Sequence, residues 1–563
     1  MSSLYPKKVN GKTYWYLRTM ARVDGKPKMV SERYLGSAAD VAAAFDAGAT
    51  AVMPQRTRHL AFGDIAAVWA MCKRLNVIEV IDEITGGSVA GAPCSVGTYL
   101  AIAVCNRITA PCSKARITQW WAQSAADRFT KIRATDLDHR RFWDAMHAVS
   151  VEQLEAISQA ITTAMITEFG LDTTALALDM TNFATYIASA NTKAPIAQRG
   201  KAKQKRTDLR LVGLGLVLTR DGGIPLTWHA YPGDKPDVTQ FPAMIDTLTA
   251  RYRALGTDTA AVTVVFDAGQ NSAANFTHLT ATGLHYVGST PPSDHPDLLD
   301  LPASRRRPVP GDRFAGVTAL QTRKQVYGID QRVVLTHSPT LHEAQDRGLT
   351  QTLAAAGRKL GDLAATLARG HTRRPRDAVE TVIGAICSDT WVRQIISWQL
   401  DGDTPAEFRL TWTVDTDARN TLTQRIFGKR ILITDRDDWT IAEVIDGYRS
   451  QSDAEFGFRQ LKDPHQVSFS PMHHFTDHTI TVHTFTCVLA LQIAHLMRRE
   501  ANRHGHHLSV RELLTALAGI EETVLIYPST GGRPKARRML TENTTTQTEL
   551  AQLFGLNRYA PTT

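Results

Sequence analysis

Cysteine is scarce in this chain, and its six cysteines are scattered along the sequence. No two of them are spaced as CxxC, so neither a zinc ribbon nor a disulfide framework is indicated. A reducing compartment fits this usage. The cysteines are Cys72, Cys94, Cys105, Cys112, Cys387 and Cys487.

Long apolar runs are also missing. The N-terminal segment lacks the continuous apolar run of a signal peptide. The longest apolar stretch, residues 485–497, is shorter than ~18 residues and contains His495, which favours a buried helix over a membrane span. No internal repeat or low-complexity tract is evident. We therefore expect a cytoplasmic protein.

The composition is that of a large globular protein with a basic surplus. The chain has 563 residues, of which 43% are hydrophobic and 21% charged, enough for three or more domains with a sizeable core. The formal net charge is +9 and the pI is about 9.2. A basic surplus of this kind favours a polyanionic partner, most often nucleic acid, over a basic protein without one.

The first 165 residues divide into two parts. Residues 1–59 have strand-like segments around Asp24-Gly25, a hairpin turn signal, and predict a small β-rich module. Residues 60–165 have apolar side chains at i, i+3, i+4 and i+7, which predicts a helical region.

From residue 166 the pattern alternates between strands and helices. Strand, hairpin, helix, strand, helix and strand follow one another through residue 290, which predicts a mixed α/β sheet with helices on its faces. Residues 291–435 contain several strand-like runs and one long helix, and we interpret them as a β-rich insertion between two halves of one domain. The second half covers 436–505, and a helical, basic tail covers 506–563.

Two aspartates follow buried-type strands. Asp179 ends the apolar run TALALD, and Asp267 ends AVTVVFD. In open α/β sheets, side chains at strand carboxyl ends face the functional crevice. Each aspartate is a turn starter, a catalytic group or a metal ligand, and the presence of two raises the odds of a shared acidic site. Neighbouring carboxylates need a cation, and hard divalent ions take oxygen ligands.

A third carboxylate lies in a predicted helix that runs from Trp439 through Lys462. On a helical wheel at ~100° per residue, Tyr448, Glu455, Arg459 and Lys462 fall within about 60° of one another. The opposite side is apolar and predicts packing on a sheet. A solvated face with an i,i+4 Glu–Arg pair is the alternative interpretation.

The combination favours phosphoryl transfer. Three carboxylates can hold two divalent ions, Mg²⁺ or Mn²⁺, ~3.5–4 Å apart, for an in-line displacement at phosphorus. Arg459 and Lys462 are candidates to neutralise phosphate oxygens of the DNA strand being cut. Tyr448 is a candidate to contact a phosphate or to stack on a displaced base.

These residues resemble the DDE transposases of bacterial insertion sequences, in the group with the Tyr-x2-Arg-x3-Glu-x6-Lys signature. Tyr448, Glu455 and Lys462 match that spacing, but Gln451 occupies the arginine position and Arg449 and Arg459 lie nearby. The segments around Asp179 and Asp267 are similar to the family's two aspartate strands.

The resemblance implies an RNase H-like catalytic domain interrupted by a β-rich insertion. It implies catalytic and metal-binding roles for Asp179, Asp267 and Glu455, with two Mg²⁺ or Mn²⁺ ions as cofactors. It also implies double-stranded DNA partners, namely the terminal inverted repeats and the target, a homodimer that brings two ends together, and a place in the bacterial cytoplasm at the nucleoid. Residues 60–165 are the candidate DNA-binding region.

A basic loop follows the first aspartate strand. Between Lys193 and Arg210 there are seven basic residues and one acid. Within this loop we single out Lys203, Lys205 and Arg206 as candidates to follow a DNA backbone, with a solvated loop as the alternative.

Three functions remain open from the sequence. The first is a transposase that cleaves DNA and joins 3′-hydroxyl ends to a target. The second is an RNase H-like nuclease without strand transfer. The third is a transposase-derived DNA-binding protein that is catalytically silent.

Overall fold

The fold comes from a computed structural model that describes residues 2–23, 26–49, 53–200, 208–256, 258–528 and 535–562. The N-terminal module is β-rich, and its first three strands form an antiparallel sheet that is largely exposed on β1 and β3. The expected Asp24-Gly25 turn lies outside the described residues. The elements are β1 (Ser2–Val9), β2 (Lys12–Val23), β3 (Lys26–Ser37), α1 (Ala38–Ala49) and β4 (Arg56–Ala61).

A helical region follows. Its longest helix starts at a capping box, in which Ser150 accepts from the backbone N–H of Gln153 while the Gln153 side chain accepts from that of Ser150. It ends at Gly170, which has the left-handed conformation that terminates helices (φ 55°). The helices are α2 (Gly63–Arg74), α3 (Val77–Thr85), α4 (Val96–Thr109), α5 (Ile117–Ala122), α6 (Ala126–Thr130), α7 (His139–His147) and α8 (Val151–Phe169).

The next segment forms the centre of the main sheet, in the expected order of strands and helices. β5, β6 and β7 form an antiparallel meander, and β8 and β9 continue it as parallel neighbours on the other side of β5. The elements are β5 (Ala175–Thr185), β6 (Arg210–Thr219), β7 (Pro225–Pro232), α9 (Asp237–Ala254), β8 (Thr263–Val265), α10 (Ala273–Ala281), β9 (His285–Thr290) and α11 (Pro296–Leu299).

Residues 291–435 differ from the expected β-rich insertion. Four of their strands extend the main sheet, and the segment between β12 and β15 contains four helices and one hairpin around a core of its own. The elements are β10 (Arg307–Pro308), β11 (Thr318–Val326), β12 (Ile329–His337), α12 (Pro339–Ala368), α13 (Arg376–Ile386), α14 (Thr390–Ile395), β13 (Ile396–Asp401), β14 (Arg409–Val414), α15 (Thr416–Ile426) and β15 (Lys429–Thr434).

The main sheet therefore has nine strands, in the order β10-β11-β12-β15-β9-β8-β5-β6-β7. β15 pairs antiparallel with both β12 and β9, so it joins the two parts of the sheet. This arrangement confirms the mixed α/β sheet predicted from the sequence.

Residues 506–563 pack against the N-terminal helical region and do not form the tail that we expected. β16 pairs antiparallel with β4, more than 400 positions earlier in the chain, and both belong to one three-stranded sheet. Buried residues of α19 and α20 share a core with α2. The elements are α16 (Ile441–Arg449), α17 (Gln451–Leu461), α18 (Asp477–Arg503), α19 (Val510–Ala518), β16 (Glu521–Ile526), β17 (Ala536–Leu540) and α20 (Thr545–Leu553).

One helix among the described residues, α18, is long and apolar enough to cross a membrane. The protein itself buries 94% of its most apolar window, as expected for the core helix predicted around His495. The imidazole Nδ1 of His495 lies 2.6 Å from the carbonyl oxygen of Gly223, so the polar atom at the centre of this apolar helix has a partner.

Candidate functional site: carboxylates at the sheet centre

The sequence suggested that Asp179 ends its strand, but in the structure Asp179 lies within β5. β5 continues to Thr185 because it pairs with β6 over its whole second half. Its parallel pairing with β8, however, stops at the Ala177–Val265 pair. Asp179 is thus the second residue beyond the end of the parallel ladder, and the backbone on its β8 side is no longer covered by that strand.

Asp267 occupies the matching place just after the neighbouring strand β8. It is also two residues beyond the Ala177–Val265 pair, so the parallel register, continued by two residues, predicts the same level for Asp179 and Asp267. Neighbouring strands are ~4.8 Å apart. The register therefore predicts that these two aspartates, which are far apart in the sequence, lie near one another.

The Asp267 carboxylate is held by three hydrogen-bond donors. Its Oδ1 accepts from the backbone N–H of Ala268 over 2.8 Å and from the Ser289 hydroxyl over 3.0 Å. The hydroxyl of Tyr448 lies 3.1 Å from the same oxygen and 2.9 Å from the Ser289 hydroxyl. Hydrogen bonds of this kind fix the orientation of the carboxylate.

Tyr448 is half-buried beside this carboxylate. Burial and then the Asp267 charge raise the pKa of Tyr448 to about 12, so its hydroxyl stays protonated and able to donate. The Arg430 guanidinium lies 5.6 Å from the centre of the Tyr448 ring. The hydroxyl of Tyr448 is already engaged within the site, and its contact with a DNA phosphate or base stays a prediction.

The predicted continuous helix from Trp439 to Lys462 is two helices, α16 and α17. The backbone N–H and the hydroxyl of Ser450 both donate to the carbonyl oxygen of Gly447, the latter over 2.6 Å, and this tight turn separates the helices. The helical wheel that placed Tyr448 with Glu455 therefore does not hold across the turn. Tyr448 belongs to α16 and Glu455 to α17.

α17 is attached to the Asp179 strand at both ends. At its start, the buried side-chain amide of Gln451 donates to the carbonyl oxygen of Leu178 over 2.9 Å. Just after its end, the ammonium of Lys462 donates to the Thr181 hydroxyl over 2.7 Å. Between them, a Cβ added at Gly457 would lie 3.1 Å from Leu218, so glycine permits the close approach. Glu455 thus belongs to a helix fixed across β5 beside Asp179.

Glu455 is exposed and lines a cleft of about 800 Å³ together with Asp267 and Tyr448. Within the described part of the chain, its carboxylate has no hydrogen-bond or ion-pair partner. The inserted segment contributes Trp391 to the cleft, and Arg430 adds a cation. The cleft therefore lies between the sheet, α16, α17 and the insertion.

The donor set suits a hard divalent cation, because all three candidate ligands are carboxylates. Two of them lie two residues beyond the last pair of the parallel ladder, and the third belongs to the helix across β5. Over the residues that the structure describes, no three His, Cys, Asp or Glu side chains are gathered closely enough to hold a metal ion. The chemistry of the ligands fits Mg²⁺ or Mn²⁺, and their convergence on an ion remains a prediction.

The candidate DNA-contacting cations have different surroundings. The Lys462 ammonium lies 5.7 Å from the centre of the Phe183 ring as well as beside Thr181. The guanidinium of Arg449 donates to the carbonyl oxygen of Arg313 over 2.9 Å. Arg459 is exposed on α17. Lys203, Lys205 and Arg206 lie outside the described residues.

Sequence reasoning missed the polar groups that support the carboxylates. The Ser289 hydroxyl donates a hydrogen bond to Asp267. In the sequence, this serine is recognisable only as a polar residue at the end of the predicted strand LHYVGST. Tyr231 donates to Asp237 over 2.7 Å. Burial, then Asp237 and the Asp179 charge, raise the pKa of Tyr231 far above its usual value, which places that hydroxyl within the field of Asp179. No local pattern in the sequence connects these residues.

Neither a protein-family model nor a curated protein sequence matches this chain. Among solved structures, the chain is similar to a piggyBac transposase synaptic complex with hairpin DNA, determined by cryo-EM. The likeness covers 80% of this chain and 79% of that one, with 7% sequence identity and a TM-score of 0.38.

Proposed function

We propose that the protein is a DDE transposase with an RNase H-like catalytic domain. It would bind the ends of its insertion sequence, cleave the DNA there and join the freed 3′-hydroxyls to target DNA. The observation that supports the proposal is that Asp179 and Asp267 each follow the last pair of the parallel β5–β8 ladder by two residues, beside the helix that contains Glu455.

In this proposal Asp179, Asp267 and Glu455 hold two Mg²⁺ or Mn²⁺ ions. Bound there, the ions would supply charge neutralisation at the scissile phosphate. Ser289 and Tyr448 orient the Asp267 carboxylate by hydrogen bonds. Such outer partners of a ligand hold it in the geometry that the ion requires.

The DNA would lie in the cleft beside Asp267 and Glu455. Arg430 and Arg449 line that cleft, and cations there neutralise backbone phosphates. Arg459, Lys462 and the loop that contains Lys203, Lys205 and Arg206 would extend the contact. The partners are the terminal inverted repeats and the target duplex, and a homodimer would hold two ends together in the bacterial cytoplasm at the nucleoid.

The test is an assay with labelled element ends, Mg²⁺ and a target plasmid, using the full chain and its Glu455→Gln variant. A joined product made by the wild type alone supports a transposase. Glu455→Gln should keep end binding in a gel-shift assay, because it removes a charge without changing the shape of the side chain. The matched control is Glu542→Gln, which alters an exposed glutamate outside the cleft.

The alternatives give different products. Cleavage without joining indicates an RNase H-like nuclease. Shifted but uncut DNA indicates a catalytically silent DNA-binding protein. Normal cleavage by Glu455→Gln would remove Glu455 from the site.

A further inference from the structure

A second polar cavity lies in the helical region, and none of its lining residues lines the cleft that contains Glu455. It has a volume of about 250 Å³ and is bounded by α4, the segment after it, α7 and residues 471–474. We call it the Lys114 cavity. Its cationic and imidazole lining consists of Arg107, Lys114, His473, His474 and His483.

The cations of the Lys114 cavity are buried without acidic partners. Arg107 is 1% exposed and Lys114 is 8% exposed. Within the described ranges, neither forms an ion pair with an aspartate or glutamate, and no hydrogen bond from the Lys114 ammonium is present. A buried charge without a counter-charge is costly, so an anion that enters the cavity would stabilise the charged forms of these side chains.

Arg107 is fixed in place by the chain itself. Its guanidinium donates to the carbonyl oxygens of Ser470, over 3.2 Å, and of Cys112. In the part of the chain that the structure covers, its Nε is buried and has no hydrogen-bond partner. The Lys114 ammonium lies 5.9 Å from the centre of the Phe142 ring, which holds the lysine side chain at the wall of the cavity.

Burial and the neighbouring cations both act on the titratable groups of the cavity. Burial and then the Arg107 charge lower the pKa of Lys114 to about 7. Burial and then the Lys114 charge lower the pKa of His474 to about 3. No carboxylate is among the causes of either shift, so within the described residues no aspartate or glutamate offsets these cations.

The size of the cavity limits what it can hold. A volume of about 250 Å³ is below the ~300–1,000 Å³ of pockets for drug-sized ligands, but it exceeds several waters at ~30 Å³ each. One tetrahedral oxyanion therefore fits. Trp143, which is 42% exposed, lines the same cavity, so it connects to the surface.

We propose that the Lys114 cavity binds a phosphate group through the buried Lys114 and Arg107 side chains. The phosphate is either a free ion or the terminal phosphate of a DNA strand, which present the same oxygens. This site does not depend on DNA cleavage, so its test is separate from that of the proposed function.

The test measures the reactivity of Lys114 in the full wild-type chain by reductive methylation and peptide mass spectrometry. Inorganic phosphate is compared with sodium chloride at equal ionic strength, and the exposed Lys359 serves as the internal control. At a phosphate concentration ten times its Kd, methylation of Lys114 should slow about tenfold, and that of Lys359 should not change. A short duplex with a 5′-phosphate is then compared with the same duplex with a 5′-hydroxyl.

A second measurement uses variants. Phosphate should raise the Tm of the wild type and of Lys359→Met but not that of Lys114→Met, and if Lys114→Met does not fold, the labelling experiment stands alone. Protection by free phosphate, or by the phosphorylated duplex alone, supports the site and identifies the source. The proposal would be overturned if neither free phosphate nor the phosphorylated duplex changed the labelling of Lys114. It would also be overturned if phosphate raised the Tm of Lys114→Met as much as that of the wild type.

Discussion

The Tyr448 hydroxyl lies 3.1 Å from a carboxylate oxygen of Asp267. From the sequence we expected Tyr448 to contact DNA from the same helix face as Glu455. Because α16 ends before Ser450, Tyr448 instead meets the strand-end aspartate on the other side of the cleft. A protonated hydroxyl at this distance orients the carboxylate, so we assign Tyr448 a positioning role.

The Tyr448→Phe variant tests that role. Loss of an outer partner of a metal ligand typically costs 10–100-fold in metal affinity or activity. We expect the Mg²⁺ concentration for half-maximal cleavage to rise about tenfold, with end binding unchanged. Tyr186→Phe is the control, because that tyrosine is 73% exposed. An unchanged Mg²⁺ dependence in Tyr448→Phe would show that its hydroxyl does not act on Asp267.

Gln451 provides a test of how α17 is held against β5. Gln451→Ala removes the hydrogen bond to Leu178 and should lower the free energy of unfolding by ~1–2 kcal/mol, together with a clear loss of cleavage. Gln460→Ala is a matched control, since Gln460 is equally buried on the same helix but bonds to Gln466. Chemical denaturation gives the free energy of unfolding, and a cleavage assay gives the activity of each variant. Equal cleavage by Gln451→Ala and Gln460→Ala would contradict a role for Gln451 in placing Glu455.

The carboxylates were predictable from the sequence, but their supports were not. Asp179 and Asp267 follow apolar runs that identify their strands, and the helix around Glu455 has a clear apolar stripe. The turn at Ser450 depends on a serine hydroxyl bonding to Gly447, which helical periodicity does not reveal.

The pairing of strands that are far apart in the chain could not be predicted from the sequence either. β15 joins β9 and β12 across the inserted helices, and β16 joins β4 from the opposite end of the chain. A strand-like run does not identify a partner hundreds of residues away. For this reason residues 291–435 were interpreted as a β-rich insertion and residues 506–563 as a tail.

Arg459 tests the predicted DNA contact of α17. If this exposed arginine neutralises one phosphate, Arg459→Gln should reduce the slope of log K against log salt by ~0.9. The slope is measured by titrating labelled element ends at several salt concentrations. Arg358→Gln, on the exposed side of α12, should leave it unchanged. Identical slopes for the wild type and Arg459→Gln would exclude this contact.

Buried His495 should make stability depend on pH. Burial and then the Arg498 charge lower the pKa of His495 to about 3 in the folded chain, against ~6.5 in the unfolded chain. The unfolded state therefore takes up a proton first as the pH falls. The contribution of the neutral imidazole to the free energy of unfolding is fully present above pH ~6.5. It is lost as the pH falls toward ~3, by up to ~1.4 kcal/mol per pH unit.

The measurement is chemical denaturation across that pH range. His495→Asn keeps an N–H donor near Gly223 and removes the titration, so the free energy of unfolding should fall less steeply with acid. His507→Asn, at an exposed position, is the control and should keep the wild-type slope. A wild-type slope in His495→Asn would show that this histidine does not contribute.

The most direct test of the proposed site is Mn²⁺ binding to the full chain, followed by electron paramagnetic resonance. If Asp179, Asp267 and Glu455 share the ions, Asp179→Asn, Asp267→Asn and Glu455→Gln should each weaken Mn²⁺ binding, while Glu542→Gln binds as the wild type does. Mn²⁺ binding that is the same in all four variants would contradict the convergence of the three carboxylates.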